Sequence, residues 1–236
     1  MTRNKAKQIE EVKSLANVFS AWETGDFDVS GMREKVREYF SDVNRALVLE
    51  LGCGEGFYTL ALAEKFPEKN FIGIDKKGDR IWRGAKRALG AKMRVGSTDE
   101  MSEKSLTNVA FIQAPIEKLM EIFDEKSVDE IWVTFPDPKP KPCNANQRLI
   151  SPRFLEIYQK VCKPEAVIHL KTDNKNFFDY AVEVAKESDC DLLEEVRDVH
   201  VQKPVPEVLQ ILTNYEKKFM GMGVPINYLK FKCRPY

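Results

Sequence analysis

Apolar runs separated by helical stretches set the rhythm of this chain. Leu47, Val48, Leu49 and Leu51, interrupted only by Glu50, predict a strand buried on both faces. Phe71 to Asp75 predicts a second strand, Asn108 to Ala114 a third, Val128 to Phe135 a fourth and Ala166 to Lys171 a fifth. Leu192 to His200 and Ile226 to Phe231 read as the last two. Between them, apolar positions recur at helical spacing: Leu60, Ala61, Ala63 and Phe66; then Ile81, Ala85, Ala88 and Leu89; then Ile116, Leu119, Met120 and Phe123. Arg153 to Cys162 and Phe177 to Lys186 complete the helices. Strand and helix alternate without an internal repeat, which predicts an α/β fold: a doubly wound, mostly parallel sheet of seven strands with helices on both faces. That domain spans residues 45–236. Residues 1–44 precede it as an arm and a helix over Met32 to Phe40, the first 30 residues being partly ordered with Val18, Phe19, Trp22 and Phe27 as their apolar anchors. The polar stretch from Gly90 to Thr107 predicts no element.

The first strand runs into Gly52, Gly54 and Gly56, which leave no Cβ in a sharp strand-to-helix turn. Such a turn lets a ligand approach bare backbone at the positive end of a helix. A dinucleotide fingerprint would place glycine at position 57, where this chain has Phe57. The remaining pattern, Glu50-x-Gly-x-Gly-x-Gly56, resembles the first motif of the class I S-adenosylmethionine-dependent methyltransferases. By itself it leaves three readings open: that cofactor, another nucleotide, or a tight structural turn. Asp75 ends the second strand about 20 residues after the glycines, where an acid accepts hydrogen bonds from ribose hydroxyls or caps the following helix.

Composition narrows the class. A chain of 236 residues is long enough for one well-packed α/β domain. It has no apolar run of about 18 residues and no apolar signal core near Met1, so a cytoplasmic protein without a membrane span is expected. Its five cysteines include no C-x-x-C pair, and His169 and His200 are its only histidines, so neither a disulfide framework nor a metal site is expected. Lys and Arg total 37, as do Asp and Glu, so net charge says nothing of a nucleic-acid partner. Distribution says more. Lys76 to Arg94 carries eight basic residues against the single acid Asp79, and two further basic segments lie at Pro138 to Arg153 and after Glu216. Each segment alone reads equally well as a solvated face, but together they suit a partner that is anionic on one side.

The fourth strand delivers Pro136-Asp-Pro-Lys-Pro-Lys-Pro142, where four prolines in seven residues preclude helix or ladder and make a stiff loop. Phe135-Pro-Asp-Pro138, Lys141, Lys171-Thr-Asp173 and Thr213-Asn-Tyr-Glu216 followed by Lys217-Lys-Phe occur in an order that resembles the tRNA (guanine-N7)-methyltransferase family of the TrmB type, over roughly residues 45 to 232. The resemblance implies a Rossmann-like class I methyltransferase fold, S-adenosylmethionine as cofactor and tRNA as substrate, with methyl transfer to N7 of a guanine in the variable loop, position 46. It implies cofactor binding by Glu50, Gly52, Gly54, Asp75 and Asp137, with Asp137 also the catalytic residue. It further implies guanosine binding by Lys141, Asp173, Thr213 and Glu216.

The chain departs from the family's pattern twice. The usual run after Pro-Trp-Pro is Lys-Lys-Arg-His with more basic residues, whereas this chain has Pro138-Lys-Pro-Lys-Pro-Cys-Asn-Ala-Asn-Gln-Arg148. The expected phosphate contacts therefore shift to Arg80, Arg83 and Arg87, which repeat along one helix. Where many members carry an acid after the third strand, this chain has Pro115, which leaves adenine to backbone near Ala114 and Ile116 or to packing. Two rival readings remain: a class I methyltransferase acting on another nitrogen, and a non-catalytic cofactor- and RNA-binding subunit. Monomer and homodimer stay equally open.

Overall fold

The computed structural model describes residues 3–91, 105–201 and 204–234. Lys92 and Arg94 of the first basic segment, and most of the polar stretch 90–107, lie outside the described residues. The chain forms two compact units, residues 1–123 and 124–236.

In the first unit the N-terminal arm holds more regular structure than its composition predicts. Helix α1 (Arg3–Val12) packs against α4 (Gly78–Ala88), and β1 (Val18–Ser20) pairs in parallel with β4 (Val109–Gln113). Three residues with two apolar side chains are too short to show a period, which is why this strand is missing from the sequence reading. The strand count is therefore eight rather than seven among the described residues. Asn17 Nδ2 donates to the Ala85 carbonyl at 3.0 Å, and Lys86 pairs with Glu11 at 3.0 Å, so polar bonds fasten a largely charged segment.

Helix α2 (Met32–Tyr39) buries Met32 and Val36, and its Tyr39 hydroxyl donates to the Val109 carbonyl. The predicted strands and helices follow: β2 (Leu47–Leu51), α3 (Phe57–Lys65) and β3 (Asn70–Asp75). Strand order in this unit is β1-β4-β3-β2, all parallel. Every residue of β3 and β4 is buried, as their unbroken apolar runs demand of strands covered on both faces. After β4 a 3-10 turn, Ile116–Lys118, leads into α5 (Leu119–Ile122).

The second unit has strand order β5-β6-β8-β7. Its elements are β5 (Val128–Thr134), α6 (Pro152–Val161), β6 (Cys162–Thr172), α7 (Lys175–Glu187), β7 (Cys190–Val196), α8 (Asn214–Gly221) and β8 (Asn227–Cys233). β5 and β6 are parallel, while β8 runs antiparallel to both β6 and β7. β6 begins four residues ahead of the expected Ala166, with a register shift against β5 between Val128 and Glu130. The carbonyl ends of β5 and β6 open directly onto the proline loop and the Thr172-Asp173 turn.

His169 is a satisfied sheet residue. It is buried, stacks on Trp132 with ring centroids 4.0 Å apart, and shares a 2.8 Å hydrogen bond through Nδ1 with the Tyr228 hydroxyl. One expectation fails. Cys190 and Cys233 face each other in the β7–β8 register and form a disulfide. Forty-three residues separate them, so only the strand pairing brings them together, and no spacing rule exposes such a pair.

Candidate active site

The first unit supplies a loop with the geometry of a nucleotide-cofactor cradle. Glu50 lies near the carboxyl end of β2 and Asp75 ends the adjacent β3. Between β2 and α3, Gly52, Gly54 and Gly56 take φ values of 75°, 57° and 68°. Gly54 has open space where a Cβ would stand, and at Gly56 a Cβ would meet the Phe111 ring at 2.5 Å. One glycine thus leaves room for a ligand, while the other permits close packing on the sheet.

The two acids are anchored by the loop they flank. Asp75 Oδ2 accepts from Gly54 N–H at 3.0 Å, and Oδ1 accepts from Lys77 N–H at 2.9 Å at the start of α4. Glu50 Oε2 accepts the Thr59 amide at 2.8 Å and also the Thr59 hydroxyl. Cys53 lies buried beside them, and burial together with the Glu50 and Asp75 charges pushes its thiol well above the usual range, which suits a core filler rather than a nucleophile. Ala114 is buried after β4, and Pro115 precedes the 3-10 turn that starts at Ile116. Gln113, the last residue of β4, accepts from Ser20 Oγ at 2.8 Å and abuts Gly78. Ser20 and Gln113 are thus additional polar groups at this strand edge, and Ser20 carries no motif that could have signalled it.

The three arginines of α4 do not share one open face. Arg80 is exposed, Arg83 pairs with Glu55 at 2.7 Å, and Arg87 is buried with its guanidinium 4.5 Å from the Phe57 ring centroid. Burial lowers the Arg87 pKa.

The second unit carries the other candidates. Asp137 stands on the turn after β5 with its side chain 66% exposed, its carboxylate 3.0 Å from Lys139 Nζ. The turn is strained on both sides, since Phe135 and Lys139 are non-glycine residues at φ 48° and 45°. Arg148 braces it, donating from Nε and Nη2 to the Lys139 carbonyl at 3.2 and 3.1 Å while stacking on Tyr180. Lys141 is exposed on the same loop.

Asp173 follows β6 and is half-buried. The helix cap there is its neighbour, since Asn174 Oδ1 accepts from Phe177 N–H at 2.8 Å. Thr213 caps α8, its hydroxyl accepting from Glu216 N–H at 3.1 Å. The Glu216 carboxylate turns inward, with Oε2 2.8 Å from Lys171 Nζ and Oε1 3.1 Å from His200 Nε2. Lys171 and Glu216 both have 0% of their side chains exposed. Sequence reasoning took Lys171 only as part of the Lys-Thr-Asp motif, since nothing in one sequence pairs it with a residue 45 positions on.

Among the described residues, no group of three or more His, Cys, Asp or Glu is arranged to hold a metal ion, and no helix is long and apolar enough to cross a membrane. The glycine cradle, two acids at adjacent strand ends and open space at Gly54 fit an adenosyl cofactor.

Fold and cradle together define an α/β protein built to hold a nucleotide-type cofactor. The structure of the 16S rRNA methyltransferase KamB superposes with a TM-score of 0.60 at 16% identity, covering 86% of this chain and 92% of that one. The family described as "Putative methyltransferase" matches residues 44–229. The tRNA (guanine-N(7)-)-methyltransferase of Christiangramia forsetii is 39% identical over 236 residues, covering 99% of each chain. That of Cytophaga hutchinsonii is 35% identical over 237 residues, covering 100% of both. The chain belongs to the tRNA (guanine-N(7)-)-methyltransferase family.

Proposed function

We propose that this protein transfers the methyl group of S-adenosylmethionine to N7 of a guanine in the variable loop of tRNA, at position 46, in the cytoplasm. The observation that carries this reading is the exposed Asp137 carboxylate on a turn strained at Phe135 and Lys139, in a chain of this family. Strained backbone is costly to maintain and concentrates where chemistry is done.

The bound cofactor supplies an electrophilic methyl on a sulfonium. Guanine N7 carries an in-plane lone pair and no proton, so displacement forms the N7–CH3 bond as the S–CH3 pair returns to sulfur. No general base is needed, and alignment is the main task of the protein. The charge that leaves sulfur appears on the base. Carboxylates set against the base stabilise that transition state more than the ground state.

In this reading Glu50, Gly52, Gly54 and Asp75 hold the cofactor, with backbone at Ala114 and Ile116 beside adenine. Asp75 would offer its carboxylate to the ribose hydroxyls. Asp137 is the catalytic residue, orienting the guanine edge and offsetting its developing charge. The same residue is also assigned to cofactor binding in this reading. Lys141, Asp173 and the Thr213–Glu216 turn take the guanosine. Arg80 and Arg83 contribute phosphate contacts, and Arg87 holds Phe57 at the start of α3.

The test is transfer of labelled methyl from S-adenosylmethionine to unmodified tRNA, followed by cleavage at N7-methylated guanosine. Label at position 46 of the variable loop is expected. Tight cofactor binding with no label in any tRNA would overturn the reading.

A further inference from the structure

Lys171 joins three segments that the proposed function assigns to the guanosine. Its ammonium donates to Glu216 Oε2 at 2.8 Å and to the carbonyls of Ile211 at 3.3 Å and Leu209 at 3.4 Å, all on the segment that leads into and caps α8. Its carbonyl accepts from Phe135 N–H at 2.8 Å, the residue before Pro136 and Asp137. Two residues on lies Asp173, in a turn fixed by the Asn174 N–H bond to Thr172 Oγ and by Asn227 Nδ2 to the Thr172 carbonyl. Burial of a lysine is expensive unless its charge is paired and its protons are all used. Here a carboxylate and two carbonyls receive them.

The arrangement goes further than neutralising a charge. Glu216 is fully buried with Oε2 bonded to Lys171, while Oε1 lies near His200 Nε2 without a hydrogen bond, so its carboxylate cannot meet a base without leaving Lys171. We infer that Lys171 is a positioning residue for methyl transfer, locking the Asp137 turn through its carbonyl and the Thr213–Glu216 turn through its ammonium. This rests on the proposed function. Glu216 accordingly works through the turn it anchors.

The test compares the full-length protein with Lys171→Met, Glu216→Gln and the double variant. For Lys171→Met, kcat/KM for tRNA should fall by at least about 30-fold while affinity for S-adenosylmethionine stays within about twofold. Amide hydrogen exchange should speed up in residues 213–217, whose side-chain anchor is lost, and stay unchanged over 47–75 and at Phe135, whose bond to the residue-171 carbonyl persists in the variant. Should Lys171→Met not fold, the double variant removes both buried charges and carries the comparison. It should bind cofactor normally and be no slower than the slower single variant, because the two residues act as one unit.

Turnover within about threefold of wild type in either Lys171 variant would overturn the inference, as would losses that multiply in the double. Exchange over residues 213–217 left at the wild-type rate would also overturn it. If wild-type protein leaves tRNA unmethylated, the proposed function fails, and the exchange pattern alone still decides whether the Lys171 ammonium holds the Thr213–Glu216 turn.

Discussion

Asp75 Oδ2 accepts a hydrogen bond from the Gly54 amide at 3.0 Å, across the mouth of the loop where the cofactor is proposed to enter. The carboxylate thereby holds the glycine turn open in a conformation with φ 57°. Asp75→Ala removes this brace and the ribose acceptor together. Affinity for S-adenosylmethionine should weaken by roughly 10- to 100-fold, the range for one charged hydrogen bond. Titration calorimetry measures it, and unchanged affinity would remove Asp75 from the cofactor site.

Gly54 and Gly56 should fail differently. Gly54→Ala meets only open space, so its stability cost is about 1–2 kcal/mol for the left-handed backbone, with a larger effect on cofactor affinity. Gly56→Ala adds overpacking against Phe111, about 1–3 kcal/mol more. Urea unfolding of the two variants without cofactor should rank Gly56→Ala as clearly less stable.

Asp137 tests catalysis apart from folding. Its side chain is exposed and its turn is braced independently by Arg148. Asp137→Ala should abolish methyl incorporation into tRNA while cofactor affinity stays within about tenfold. An active variant would strip Asp137 of the catalytic role.

Cys162 makes stability fall in alkali. Burial chiefly, with the Asp129 charge adding, raises its thiol from 9.0 to about 12. The folded state therefore keeps a proton that the unfolded chain releases above about 9, and stability declines as pH rises between the two values. From pH 8 to pH 10 the loss from this group is about 1.4 kcal/mol. Cys53, buried likewise, adds its own loss in the same direction, so denaturant melts should show a fall between the two pH values that is smaller in Cys162→Ala than in wild type by that increment.

The Cys190–Cys233 bond closes a loop of 43 residues across β7 and β8. Reduction, or Cys190→Ser, should lower stability by about 2–4 kcal/mol. Equal melting temperatures with and without dithiothreitol would show that strand pairing alone holds the two ends.

What could be read in advance follows from where the information lies. β2, β3 and β4 are legible because strands buried on both faces need nearly continuous apolar runs, and the glycines mark the turn because they tolerate its φ values at no steric cost. The Asp137 loop was visible through its prolines. Other features are properties of pairs. Arg87 sits on a basic helical repeat, yet the Phe57 ring draws it inward. Thr213 and Glu216 are tied to guanosine by the resemblance alone, and in the fold Thr213 caps α8 while Glu216 turns to Lys171. β1 lacked the length to leave a periodic trace, and the disulfide depended on a register that no local signal encodes.

The short β1 also governs how the first unit meets its neighbours in a crowded solution. β4 would otherwise expose a row of unpaired amides and carbonyls on a largely apolar strand, an inviting template for another chain. Val18–Ser20 occupies that row and offers only three residues of its own in exchange. The arm acts as a stopper on the sheet, trading an adhesive edge for one too short to propagate.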